Sequence, residues 1–352
     1  MRALQLHGHR DIRIDDVPEP TPPPGWSVIK VAASTICHSD LREWNGPTYI
    51  GRTGKPNAIT GVYLPVILGH EFSGTVVEMN GSHPTIRVGD RVAPDGCICD
   101  ETCWYCRHGQ YNLCDNVAVL GFDGHGSHAE YVAVPNYALN ALPDDISDEQ
   151  AALIEPLSVA VHGVRQGGVT VGDVVAVVGA GMVGLCAAAV AMASGAEHVF
   201  VSEPLAGRRE RARQLGATVL DPSAGDVAEQ IRDLTGGHAA DVAIDCVGVE
   251  SSLNSALALS RKGGRVSLVG IFSSRPTLDI DKIGLDERSL VGSLAYAYDF
   301  PRAIGLVADG RVKLDGFITG RIPLDRIIED GFETMENDAN NQIRIVVDTQ
   351  AR

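Results

Sequence analysis

A chain of 352 residues is too long for one ordinary core and suits two domains, and 44% hydrophobic residues can fill both. A formal net charge of −16 with no basic stripe repels phosphate backbones and excludes nucleic acid as a partner. Residues 1–20 mix arginine with aspartate, and no run approaches the roughly 20 apolar residues of a membrane span; the expectation is a cytoplasmic chain without a membrane partner.

The first 150 residues read as β-rich. Short alternating runs such as Ser27-Val28-Ile29-Lys30-Val31 and Gly74-Thr75-Val76-Val77-Glu78 are punctuated by Pro22-Pro23-Pro24-Gly25 and Val88-Gly89-Asp90, which predicts a small barrel-like β domain. Cys37, Gly69-His70-Glu71 and, further on, Glu155-Pro156 form a dispersed set of soft and hard metal donors. Five of the eight cysteines fall between Cys97 and Cys114, and Cys103-Trp104-Tyr105-Cys106 is a C-x-x-C step. Clustered in a reducing compartment, they favour metal over disulfide. Cys99, Cys103, Cys106 and Cys114 would make a closed four-thiolate site that holds a structural zinc, with Cys97 the competitor of Cys99. A redox pair is the alternative, but it needs no two further cysteines nearby. Cys186 and Cys246 lie in apolar runs and read as buried thiols.

At Ser147, a plausible N-cap, the pattern turns helical through Asp148-Glu149-Gln150-Ala151-Ala152-Leu153, and a domain boundary is expected close by. From Asp173 strands and helices alternate. Val174-Val175-Ala176-Val177-Val178 is a buried strand and the alanine-rich stretch Leu185 to Ser194 a helix. Val199-Phe200-Val201, Ala217-Thr218-Val219-Leu220, Val242-Ala243-Ile244-Asp245 and Arg265-Val266-Ser267-Leu268-Val269 supply further strands of a doubly wound parallel sheet. After about Ser289 β character returns and runs to Val347. The predicted organisation is α/β: 1–155 a β-rich first part, 156–289 an inserted dinucleotide-binding domain, and 290–352 the sheet edge and the return to the first domain.

Gly179-Ala180-Gly181-Met182-Val183-Gly184 joins strand to helix, and Glu203 follows at the end of the next strand, roughly 20 residues on as a dinucleotide fingerprint requires. Gly179 permits the tight turn, Gly181 lets backbone approach a pyrophosphate, and Gly184 lets helix and strand pack closely. Glu203 would accept the ribose hydroxyls and repel the extra phosphate of NADP, so NAD is the expected cofactor. Arg208 and Arg209 pull the other way, or cover the adenine. A metal that polarises a hydroxyl and a nicotinamide that accepts hydride are two halves of alcohol oxidation.

Through Cys37-His38-Ser39-Asp40 and Gly69-His70-Glu71 the chain resembles the zinc-dependent medium-chain dehydrogenase/reductase superfamily over essentially its whole length. The resemblance implies a GroES-like catalytic domain, a Rossmann domain, and an active-site zinc in the cleft between them. Cys37 and His70 match the family's two early ligands, and Glu155-Pro156-Leu157-Ser158 looks like the sorbitol and butanediol dehydrogenase branch, making Glu155 the third ligand. Glu71 stands close enough to exchange in or to hold a metal-bound water. The plain alternative for Glu155 is a carboxylate favoured at a helix N-terminus. Asp40 matches a carboxylate that orients the imidazole of His70, and Ser39 a hydroxyl that carries the substrate proton away. Family members often continue that relay to a histidine, where this chain has Arg42. His38 stands where a cofactor pyrophosphate contact is expected. Pro56 to Gly74 and Gly109-Gln110-Tyr111-Asn112-Leu113-Cys114 look like the (R,R)-2,3-butanediol dehydrogenases, although Cys99 and Cys103 are spaced one residue wider than the family's loop.

The implied function is reversible oxidation of a secondary alcohol, a vicinal diol or polyol, to a ketone, with one catalytic zinc, one structural zinc and NAD. Threonine or sugar-alcohol oxidation is the rival on the same scaffold. A non-catalytic nucleotide-binding protein would not need Cys37, His70 and Glu155. The segments Trp44 to Leu64 and Leu294 to Tyr298 are expected to shape the substrate pocket. Leu290-Val291-Gly292-Ser293-Leu294-Ala295-Tyr296 looks like an exposed edge strand that would build a homodimer or homotetramer.

Overall fold

The computed structural model describes residues 1–46 and 55–351, which divide into two compact units, Met1–Glu155 with Ile318–Arg352, and Pro156–Phe317. Residues 47–54 of the expected pocket segment lie outside the described residues. Among the described residues no helix is long and apolar enough to cross a membrane.

In the first unit the main sheet runs in the order Ile318–Pro323, Arg344–Asp348, Trp26–Thr35, Glu71–Asn80, Arg91–Val92, with Tyr131–Pro135 also paired to Trp26–Thr35. The strand Trp26–Thr35 is covered on both faces, so only Lys30 is exposed and strict polar alternation is lost. Ile29, Val31, Phe72, Val76, Val132 and Val134 share one core, while Ile36, Leu41, Trp44, Phe332, Ile345 and Val347 share another. Each such fully buried side chain contributes about 1.5–3 kcal/mol relative to exposure. Register decides where the chemistry falls. Thr35 pairs with Glu71, and Val346 pairs with Thr35, both antiparallel, so the end of the central strand meets the start of Glu71–Asn80 and the middle of Arg344–Asp348. Cys37, His70, Glu71 and Arg344 therefore gather at one end of the sheet.

The second unit is a six-stranded parallel sheet ordered Thr218–Leu220, His198–Ser202, Val174–Val178, Ala240–Asp245, Ser260–Leu268, Ser289–Gly292. Numbered along the chain this order is 3-2-1-4-5-6, with its switch point at the carboxyl ends of the first and fourth strands. The glycine turn follows the first of these strands. The helix after it, Met182–Ala193, has nearly every residue buried, which its small apolar side chains allow. The expected return of β character after Ser289 arrives later: Ser289–Gly292 is still the edge of this sheet, a helix spans Phe300–Ala308, and the first unit resumes at Ile318. Pro301 in the first turn, with Phe300, Ala303, Ile304 and Leu306 buried, carries a helical rather than a strand period.

Backbone packs on backbone below His70. A Cβ on Gly126 would lie 2.0 Å from the Gly69 carbonyl, and one on Gly121 would lie 2.8 Å from the Gly69 nitrogen. Because the obstructing atoms are main chain, they have no rotamer with which to yield. Gly126→Ala is expected to cost about 1–3 kcal/mol or more, read as a lower urea midpoint at unchanged m-value.

Candidate metal centre and cofactor turn

Cys37 is the N-cap of the helix His38–Asn45, and its N–H donates to Asp40 Oδ2 at 2.8 Å, which fixes the turn. Gly69, with φ of 96°, turns the chain into His70 and the strand starting at Glu71. One donor atom each from Cys37, His70 and Glu71 lie within 4.8 Å of one another. His70 Nε2 is 3.2 Å from the Ser39 hydroxyl, while Nδ1 faces Asp40 Oδ1 at 3.6 Å. The nitrogen turned toward the donor group is thus Nε2.

Glu71 and Arg344 form a buried pair: Arg344 Nε donates to Oε2 at 2.8 Å and Nη2 to Oε1 at 2.7 Å, with the Thr35 hydroxyl also on Oε2. Arg344 Nη2 also reaches Cys37 Sγ at 3.4 Å. Glu155 is buried in the first turn of the helix Ile154–Gly167 and lies outside the tight group. It is nonetheless felt there. Burial pushes the Cys37 thiol well above its ordinary range, and Glu71, Asp40 and Glu155 add to this while Arg344 opposes it. Burial alone would raise the Asp40 carboxyl, but the imidazoles of His70 and His128 and the Cys37 N–H hold it below the usual range. A half-buried thiol, an imidazole and crowded carboxylates are the donors that suit a dication, and zinc's N, S and O preferences fit this set.

The cysteine loop assembles differently from the expectation. Its compact donor group is Asp100, Cys103, Cys106 and Cys114, within 4.8 Å of one another, and Cys99 lies outside it. Cys99 has its N–H held by the Tyr137 hydroxyl at 2.8 Å, and Cys97 sits in a buried strand paired to Ala118–Val119. Glu101 takes a left-handed φ of 56°, and beside that turn Asp100 Oδ1 accepts the N–H groups of Thr102 and Cys103. Those bonds, led by Cys103, with the Asn116 amide on Oδ2, hold the carboxyl far below its usual range. The signal was in the spacing: Asp100-x-x-Cys103-x-x-Cys106 keeps a constant step that Cys99 breaks.

In the second unit Gly179 has φ of 93°, and a Cβ on Gly184 would lie 2.0 Å from the Gly179 carbonyl. Met182 and Val183 open the helix whose N-cap is Gly181. Glu203 is buried, and it accepts the Ala180 N–H at 2.7 Å and the Leu205 N–H at 2.9 Å. Arg208 reaches to 3.8 Å from a Cβ built on Gly181, whereas Arg209 is engaged by Asp221 at 2.8 Å. Arg344, Thr35 and His128 were not singled out in the sequence.

Family models match at residues 23–144, the alcohol dehydrogenase GroES-like domain, and 182–309, the zinc-binding dehydrogenase domain. The chain is 36% identical to an (R,R)-butanediol dehydrogenase of Neisseria gonorrhoeae over 99% of both chains. It is 34% identical to human sorbitol dehydrogenase, covering 98% of this chain and 96% of the relative. A crystal structure of 2R,3R-butanediol dehydrogenase from Bacillus subtilis superposes with a TM-score of 0.91 at 35% identity, covering 99% of each chain. The chain belongs to the zinc-binding alcohol dehydrogenase family, with a GroES-like domain and an inserted Rossmann domain. It is an oxidoreductase acting on CH–OH with zinc and NAD as cofactors.

Removing Arg344 would leave Glu71 charged, buried and unopposed. Arg344→Met is expected to cost about 3–5 kcal/mol in urea unfolding, and adding Glu71→Gln should restore part of that loss.

Proposed function

We propose that the chain interconverts a vicinal diol or polyol and the corresponding hydroxyketone with NAD. What carries this reading is the Cys37, His70 and Glu71 donor group with the Ser39 hydroxyl 3.2 Å from His70 Nε2, on a chain similar to butanediol and sorbitol dehydrogenases. Bound zinc supplies Lewis acidity, lowering the pKa of a hydroxyl presented to it. Cys37, His70 and Glu155 would hold it, with Glu71 beside them. Ser39 takes the substrate proton outward. Arg42 cannot continue the relay as a base, because guanidinium does not deprotonate in proteins. The turn Gly179 to Gly184 would cradle the pyrophosphate, Glu203 the adenosine ribose, and Arg208 the space beside Gly181. A second, structural zinc would be held by Asp100, Cys103, Cys106 and Cys114. With no disulfide joining any cysteine, a cytoplasmic setting suits the thiol-rich loop.

Initial rates with NAD on (R,R)- and meso-2,3-butanediol, sorbitol, threonine and ethanol test the substrate class. The expected order puts a vicinal diol or polyol highest in kcat/KM. Turnover confined to threonine, or to a simple primary alcohol, would refute it.

The edge strand Ser289–Gly292 is followed by exposed Leu294 and Tyr298. Apolar surface beside an open strand edge favours a homodimer or homotetramer through this edge. Light scattering at micromolar concentration should give at least a dimer, and a monomer would contradict this assignment.

A further inference from the structure

His128 is fully buried in the first unit and has no part in the reading above. It comes from Gly126-Ser127-His128, whose N–H groups bond the carbonyls of Ile67, Gly69 and Leu68, so the segment is locked to the chain that presents His70. His128 Nε2 lies 3.6 Å from Asp40 Oδ2, mirroring His70 Nδ1, 3.6 Å from Asp40 Oδ1. Among the described residues, Asp40 Oδ1, His70 Nδ1 and His128 Nε2 are buried polar atoms without a hydrogen-bond partner within normal distance, so each depends on these close approaches. On its other side, His128 Nδ1 meets the Ser34 hydroxyl at 3.0 Å, and Ser34 Oγ lies 2.8 Å from Ser127 Oγ. The edge of the ring faces Phe332, with centroids 6.4 Å apart. An apolar ring would fill this space without burying polar atoms, so packing alone gives no reason for an imidazole.

We propose that His128 is a positioning residue of the metal centre: its Nε2–H holds the Asp40 carboxylate, and through it both the His70 ring and the Cys37 turn. The tautomer this requires has the Ser34 O–H donating to Nδ1, 3.0 Å away, rather than to the Glu71 carbonyl at 3.4 Å. With the Ser34 O–H donating to Nδ1, the ring proton sits on Nε2 and points at Asp40. Asp40 Oδ2 then carries two donors, Cys37 N–H and His128, which leaves Oδ1 aimed at His70 Nδ1 and His70 Nε2 turned to the donor group. Without the His128 donor, Oδ2 keeps only the Cys37 N–H and the carboxylate gains freedom to swing from His70. Groups in this outer position are typically worth about 10–100-fold in metal affinity.

This inference rests on the metal reading above, so the wild-type holoenzyme is measured first. Zinc content that is unchanged by Cys37→Ser would overturn the metal reading itself, and this inference with it. Given a metal lost in Cys37→Ser, zinc release to a chelator and the visible spectrum of the cobalt(II)-substituted protein are compared across variants. His128→Phe should release the metal held with Cys37 and His70 about 10–100-fold more readily. It should also shift the cobalt bands and leave the metal at Cys103, Cys106 and Cys114 as in wild type. His128→Gln keeps an N–H donor and should recover most of the retention. Ser34→Ala, which removes only the hydroxyl that sets the tautomer, should move release in the same direction by less. Wild-type release and bands in His128→Phe, or greater damage in His128→Gln than in His128→Phe, would show that the ring merely packs. Should His128→Phe fail to fold, Ser34→Ala decides, and unchanged release with unchanged bands there overturns the proposal.

Discussion

Charge confined at one sheet end is the constraint on which the first unit depends. Neighbouring strands and the start of the helix His38–Asn45 bring buried Glu71 and Asp40 beside the half-buried Cys37 thiol, with Glu155 acting on the same thiol, and Arg344 is the buried guanidinium placed against them. Burial should discourage a charged Arg344, yet Glu71, Cys37 and Glu155 together hold it protonated. A buried ion pair of this kind adds little net stability over apolar packing, whereas losing one partner is expensive. Its value lies in specification: Glu71 can occupy only the place where Arg344 and Thr35 meet it, and that place also orders the start of the strand that follows His70.

The second unit meets a similar need with backbone dipoles. Among the described residues no basic side chain is bonded to the Glu203 carboxylate oxygens; Ala180 N–H and Leu205 N–H take them instead, tying the glycine turn to the loop after the next strand. The glycines are required by close approach, since a Cβ at Gly184 would strike the Gly179 carbonyl and one at Gly179 would lie 2.5 Å from Val247 Cγ2. The helix Met182–Ala193 starts at this turn, and a helix N-terminus is a place where a pyrophosphate is favoured.

This difference explains what was legible in the sequence. The glycine turn, Glu203 and the parallel strands could be read because each obeys a rule of local spacing. Cys37 and His70 stood out through donor chemistry placed in a family pattern. Arg344 did not, because an arginine opening a strand reads as surface until the register, with Val346 opposite Thr35, sets it against Glu71. His128 was hidden for the same reason, since only tertiary pairing through Gly69 and Gly126 brings it beside Asp40. In the cysteine loop the thiols alone point to Cys99, whereas the regular step runs through Asp100. The helix Phe300–Ala308 shows the opposite limit: its period was present in the sequence, but neighbouring strand-like runs masked it.

Charge balance also bears on which carboxylate would complete the metal centre. Glu71 is already matched by Arg344, and both its oxygens accept bonds from that guanidinium, so drawing it onto a metal would leave a buried cation without its partner. Asp40 is committed to Cys37 N–H and faces two imidazoles. A Cys37 thiolate, which Arg344 Nη2 meets at 3.4 Å, the Glu155 carboxylate and the His70 imidazole would then be the donors of the proposed site. Two anionic donors and one neutral donor cancel the charge of a divalent ion, which is the arrangement that costs least in a buried site. Burial is the main reason the thiol resists ionising, with Glu71, Asp40 and Glu155 adding to it and Arg344 opposing, while Glu71 stands within reach of the site still paired to Arg344.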